Sequence, residues 1–176
     1  MHGIIHSELK KFVVARHGLG AWTQLLATSG LSGKTYLANG VYPDCDAHAI
    51  IGAASRMTGA SADVILEDFG RFITPNLMSI YAALIRPEWR TIDMLLNTES
   101  VIHSVVRIKN PGAAPPRLQF ERTGPNALRF IYVSGRKMSA VAKGIMRGVA
   151  DHFGERIAIT EKARPDGSVE MNVMVA

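Results

Sequence analysis

The sequence predicts an α+β protein, with a helical N-terminal half followed by strands and helices in the order β-β-α-β-β. Three observations carry this reading. Apolar residues recur at helical spacing from Gly3 to about Lys109, the period changes to two beyond Pro115 and Pro116, and the turn signals "TGPN" and "RPDG" each separate two alternating runs.

In order along the chain, Ile4, Ile5, Leu9, Phe12, Val13 and Val14 place an apolar stripe on a first helix, which Gly18 and Gly20 end. A short helix follows over Ala21–Thr28, then the turn-rich stretches "SGLSGK" and "NGVYPDCD". Ala47–Met57, Ala62–Phe72 and Leu77–Leu84 read as three further helices, parted by "TGAS" and "TPN". Thr91 is expected to cap a helix from Ile92 to Lys109, and "NPGAAPP" stops it because a proline pair cannot continue a helix. Arg117–Arg122 and Ala127–Ser134 then read as strands, Ser139–Phe153 as a helix, and Arg156–Lys162 with Ser168–Val175 as a closing hairpin.

The 176 residues suit a single domain with one sizeable core, nearly half of them being apolar. The excess of five basic residues is scattered in ones and twos, so nucleic acid is not an expected partner. No leader pattern opens the chain and no run approaches the ~20 apolar residues that span a bilayer, which reads as a soluble cytoplasmic protein without a membrane partner. Cys45 stands alone, so no internal disulfide, zinc ribbon or dithiol pair is available.

Two places carry candidate chemistry. His103 sits in an otherwise apolar helix, with Ile92, Leu96, Glu99, Val106 and Arg107 near it on the helical surface. Two readings stay open: a core histidine satisfied by a backbone carbonyl or by Glu99, or an axial ligand, since a neutral imidazole can give one nitrogen to a haem iron while the other donates a hydrogen bond. The second place is "YVSGRK", where a strand period of two puts Tyr132, Ser134 and Arg136 on one face. Two hydroxyls and a guanidinium suit a ligand with two carboxylates, each charge-assisted bond contributing about 1.5–3 kcal/mol. A solvated edge strand accounts for the same row.

Together these residues resemble the haem nitric oxide/oxygen-binding sensor family, H-NOX, to which the haem domain of soluble guanylate cyclase also belongs. The similarity runs through "MHGIIH", "YPD" (Tyr42–Asp44), "ILEDFG" (Ile65–Gly70), the helix containing His103, "NPGAAPPRL" (Asn110–Leu118) and "YVSGRKM", over essentially the whole chain. The resemblance implies haem b held between a helical subdomain of about residues 1–62 and a haem-helix and sheet subdomain of about 63–176, the sheet antiparallel. It implies His103 as the iron ligand, Tyr132, Ser134 and Arg136 on the propionates, and Pro116 pressing on the porphyrin. Asp44 is then expected to pair with Arg136, although an Asx turn after Pro43 explains Asp44 equally well.

On the gas-binding side, Val141, Leu9 and Ile73 occupy the positions where oxygen-binding relatives carry a tyrosine and its polar supports. With Ile5, Leu77 and Ile145 they are expected to line a dry apolar pocket that accepts nitric oxide and carbon monoxide but holds no oxygen stably. The resemblance further implies signalling to a separate protein, a sensor histidine kinase or a cyclic-di-GMP enzyme, through release of the histidine and rotation of the lobes. Zinc, which many relatives bind through cysteines, is not expected, because the matching positions are Ser139, Ala163 and Met171.

Rival readings are weaker. "SGLSGKT" lacks the first glycine of a P-loop, its window opening on Thr28. His2 and His6 are spaced for a metal clasp, but Gly3 and a fraying terminus argue against one. No nucleophile beside a base and no carboxylate pair marks an enzyme. The remaining alternatives are a haem-free interaction module that keeps the fold, and an oxygen-binding haem sensor.

Overall fold

A computed structural model describes residues 1–110 and 112–176. Pro111, part of the Asn110–Leu118 stretch noted above, lies outside the described residues.

Helix α1 (Gly3–Thr28) joins the first two predicted helices into one element, broken at Gly18, whose dihedrals (φ 80°, ψ 169°) are not helical. Helix α2 (Asp44–Thr58) begins at Asp44 instead of Ala47, with Asp44 and Asp46 favourably placed at the positive end of the helix dipole. Helix α3 (Ala62–Ile80) corrects the sequence reading, which broke it at "TPN": Pro75 lies inside it. An internal proline costs about 3 kcal/mol. The buried side chains of Ile73 and Met78, on either side of it, each return about 1.5–3 kcal/mol, which offsets that cost. The helix expected to end at Leu84 finishes as a 3-10 turn over Ala82–Leu84.

The long helix expected around His103 is also interrupted. It consists of α4 (Thr91–Asn97), a π-helical segment Thr98–His103, and α5 (Ser104–Lys109). Its cap is not Thr91. Arg90 takes that position, its N–H donating to the Asp93 carboxylate at 3.2 Å, while Thr91 is fully buried in the first turn.

The C-terminal part follows the predicted order: β1 (Arg117–Gly124), β2 (Ala127–Val133), α6 (Ser139–His152), β3 (Ile157–Ala163) and β4 (Val169–Val175). They form a four-stranded antiparallel sheet in the order β1-β2-β4-β3. Strand β2 stops at Val133, so the predicted extended row does not run to Arg136. Beyond it the Lys137 N–H closes a turn on the Ser134 carbonyl at 3.3 Å, with Lys137 in the left-handed region at φ 52°.

Two hydrophobic cores result. One packs α1, α2 and the first part of α3 around Phe12, Phe69, Ile50 and Ile73. The other lies between the sheet, α4 and α6, with Leu128, Phe130, Met171 and Val173 at its centre. Helices α3 and α6 join them at van der Waals distance: a Cβ on Gly144 would fall 1.9 Å from the Glu67 carbonyl oxygen, and one on Gly70 2.2 Å from that of Val141. The Glu67 carboxylate locks this seam to Lys143 (3.0 Å) and Arg147 (2.6 Å).

Candidate functional site

A cavity of about 580 Å³ opens where α1, α3, the His103 helix, β1, β2 and α6 converge. Its wall is almost wholly apolar, and it falls within the size range of small-molecule and cofactor sites.

Of the residues singled out from sequence, His103, Tyr132, Arg136, Pro116, Ile5, Leu77, Val141 and Ile145 all line this cavity. Ser134 does not; it sits in the turn, its hydroxyl accepting the Arg136 backbone N–H at 3.2 Å. Leu9 and Ile73 do not either. They are buried in the N-terminal core behind the wall, because the turn of α1 and of α3 that carries them faces α2 and its neighbours.

His103 is brought to the wall by the π segment and is 15% exposed at its side chain. Its Nδ1 lies 2.9 Å from Glu99 Oε2. With a proton on Nδ1 donated to that carboxylate, the neutral imidazole keeps its lone pair on Nε2. Burial, the largest influence, holds the imidazole below its usual pKa against the upward pull of Glu99 and the Pro116 carbonyl. Burial alone would raise the Glu99 carboxyl, but hydrogen bonds from Arg107 and His103 prevail and hold it below the usual range.

Tyr132, buried on β2, has its phenol pushed up, chiefly by burial. Arg136 reaches across the molecule: its Nε donates to Asp44 Oδ2 at 2.9 Å and its Nη1 to the Ala114 carbonyl. The expected Asp44–Arg136 pair is therefore formed, and it ties the first turn of α2 to the end of β2. Two of the five guanidinium N–H donors are used in this way, and the other three are available to further acceptors.

Sequence reasoning missed three hydroxyl-bearing residues in the wall, Thr74, Tyr81 and Thr98, the last with its hydroxyl donating to the Met94 carbonyl at 2.9 Å. Thr74 is occupied, donating to the Gly70 carbonyl at 2.9 Å. Tyr81 follows α3 directly and its phenol is raised by burial. The signal for it was its i, i+4 offset from the cavity residue Leu77 within the predicted helix Leu77–Leu84, which places the two side chains on one face. His2 and His6 form no clasp: His2 Nδ1 accepts the Ile4 N–H at 3.4 Å as the cap of α1, while His6 is fully buried, stacked on Tyr36 at 4.6 Å. Among the described residues, no group of three or more His, Cys, Asp or Glu could hold a metal ion, and no helix is long and apolar enough to cross a membrane.

A chelating pair of lobes, one imidazole and an arginine on a shared apolar cavity is a chemistry suited to an iron porphyrin with acidic side chains. Residues 2–161 match the family model described as haem-NO-binding. The chain belongs to the haem-NO-binding family. Its fold is that of H-NOX proteins: a point mutant of an H-NOX protein from K. algicida, in the unliganded Fe(II) state, superposes with a TM-score of 0.92 at 27% identity over 100% of this chain and 97% of that one. An S. oneidensis H-NOX protein in the Fe(II)NO state does so with a TM-score of 0.92 at 21% identity, over 100% and 99% of the two chains. In sequence, the soluble guanylate cyclase gcy-32 of Caenorhabditis elegans is 27% identical over 98% of this chain but only 26% of its own length. The present H-NOX chain thus spans about a quarter of the curated relatives it matches.

The residues present fit a haem. The cavity has the capacity, Nε2 of His103 is the nitrogen free to ligate, and Arg136 and Tyr132 supply donors for carboxylates.

Proposed function

We propose that this H-NOX chain is a haem-based sensor of nitric oxide, holding haem b in the 580 Å³ cavity through His103. The observation that carries this is the presence of the His103 imidazole, its Nδ1 committed to Glu99, on the same apolar wall as Tyr132 and Arg136. His103 would anchor the iron, Tyr132 and Arg136 would receive the propionates, with Ser134 setting the turn that carries Arg136, and Pro116 would press on the ring. Bound haem supplies a ferrous centre on which nitric oxide or carbon monoxide can bond.

Ile5, Leu77, Val141 and Ile145 exclude water and offer no side-chain donor on their part of the wall, which favours nitric oxide and carbon monoxide over oxygen. His103 would tie the segment Thr98–Lys109 to the haem, while Arg136 holds Asp44 of α2 independently of that bond. Cutting one tether and keeping the other biases the two lobes toward a rotated arrangement. The chain acts as a sensor and not as an enzyme, passing its signal to a separate protein, a sensor histidine kinase or a cyclic-di-GMP enzyme, in the cytoplasm.

The test is the visible spectrum of the reduced, hemin-loaded protein with and without nitric oxide. The expected result is a Soret band that moves on adding the gas, no stable oxygen spectrum in air-equilibrated buffer, and a His103→Gly variant whose band returns on adding imidazole. A protein that stays colourless after desalting overturns the proposal. A second reading, oxygen sensing, is favoured by the Tyr81 phenol in the wall; a stable oxygen spectrum that Tyr81→Phe abolishes would decide for it.

A further inference from the structure

The π-helical segment Thr98–His103 places an extra residue in the ligand helix, a distortion that often marks a functional position. It sets Glu99 beneath His103, and the carboxylate gathers three donors. Oε2 accepts from His103 Nδ1 at 2.9 Å and from the Leu118 backbone N–H at 3.2 Å, and Oε1 accepts from Arg107 Nη2 at 2.5 Å. Leu118 lies on β1, an edge strand of the sheet, and the N–H that Glu99 takes is one no neighbouring strand pairs. One side chain therefore holds the ligand histidine, the following helix and the first strand together.

We infer that Glu99 is the positioning residue for His103: its carboxylate fixes the proton on Nδ1, aims the Nε2 lone pair into the cavity, strengthens it as a donor to iron, and couples that bond to the start of β1. The inference rests on the haem-binding reading above and deepens it. The chemistry is that of an outer-shell carboxylate on a metal-bound imidazole, which orients the ring and raises its basicity. Two alternatives give Glu99 no such role: a surface ion pair with Arg107 alone, or a simple cap for Leu118. The distances favour the positioning role, because the imidazole and the Leu118 amide share one oxygen while Arg107 takes the other.

The test uses the hemin-loaded, reduced full chain and the iron–histidine stretching band in its resonance Raman spectrum. Glu99→Ala should move this band to lower frequency, Glu99→Gln should move it less because the amide oxygen still accepts, and Arg107→Ala should move it the opposite way by leaving the carboxylate a stronger acceptor. Amide exchange at Leu118 should quicken about tenfold or more in Glu99→Ala, as expected for loss of one charge-assisted hydrogen bond. Haem loss confined to Glu99→Ala, with the graded shift kept in Glu99→Gln, supports the same assignment. A haem-loaded wild type whose band is unchanged in both Glu99 variants overturns the inference and leaves the sensor reading standing. A wild type that takes up no haem overturns both.

Discussion

The two cores of this H-NOX chain are built from similar residues but finished differently. The N-terminal core is closed on itself: Ile50, Ala53 and Ile73 have no exposed surface, and Phe12 packs against Phe69 and Phe72 at ring distances of 5.8 and 5.3 Å. The C-terminal core is hollow, since Met94, Leu95, Ile102, Phe130, Met146 and Val149 are buried and yet line the cavity. A closed core owes its stability to its own contacts, whereas a hollow one draws part of it from whatever fills it.

The strongest challenge to this contrast is Phe69→Ala. It should cost about 3–5 kcal/mol, by chemical denaturation, in haem-free and haem-loaded protein alike, because the lost contacts lie wholly within the closed core. Hemin at about 100-fold its dissociation constant should stabilise the wild type by about 2.7 kcal/mol, read as a rise in melting temperature. A Phe69→Ala cost that haem erased would mean that the two cores are one. Gly144→Ala strikes the seam between them, where the new methyl would meet the Glu67 carbonyl, and overpacking there should cost about 1–3 kcal/mol.

The smallest effect concerns pH. His6, buried in the closed core with neither ring nitrogen hydrogen-bonded among the described residues, has its pKa lowered from 6.5, first by burial and then by the Met1 amino group, against the pull of Asp46 and Asp44. A histidine lowered in the folded state leaves stability intact above 6.5 and costs it as the pH falls below that value. Denaturation midpoints measured at pH 7.5 and 5 should therefore separate less in His6→Phe than in the wild type. An unchanged separation would show that His6 does not carry this acid sensitivity.

The sheet and α6 were legible because the period-two runs of β1 to β4 are short, alternating and bounded by turns that leave no rival conformation. The site was legible where one residue type permits few roles: an imidazole amid apolar neighbours, or an arginine with no carboxylate near it in sequence. What escaped was decided by tertiary packing. Pro75 continues a helix because residues on either side of it are buried, the π segment leaves no mark in the spacing of apolar residues, and nothing in sequence tells the cavity-lining Ile5 from the core residue Leu9. The place of Ser134 off the strand was not legible for another reason, as the turn that ends at left-handed Lys137 takes the chain away from β2 after Val133.

The reach of Arg136 has a consequence for how the protein is handled. This one guanidinium ties the opening turn of α2, the Ala114 carbonyl ahead of β1, and its own turn, and its Asp44 partner is 42% exposed. The Debye length is about 8 Å at physiological ionic strength and about 3 Å at 1 M salt, so a pair 2.9 Å apart is screened only in part in dilute buffer and more strongly as salt is raised. Buffer composition thus acts as a dial on the clasp between the halves of the molecule, and gas responses measured in dilute and in concentrated salt belong to differently tensioned versions of the same machine.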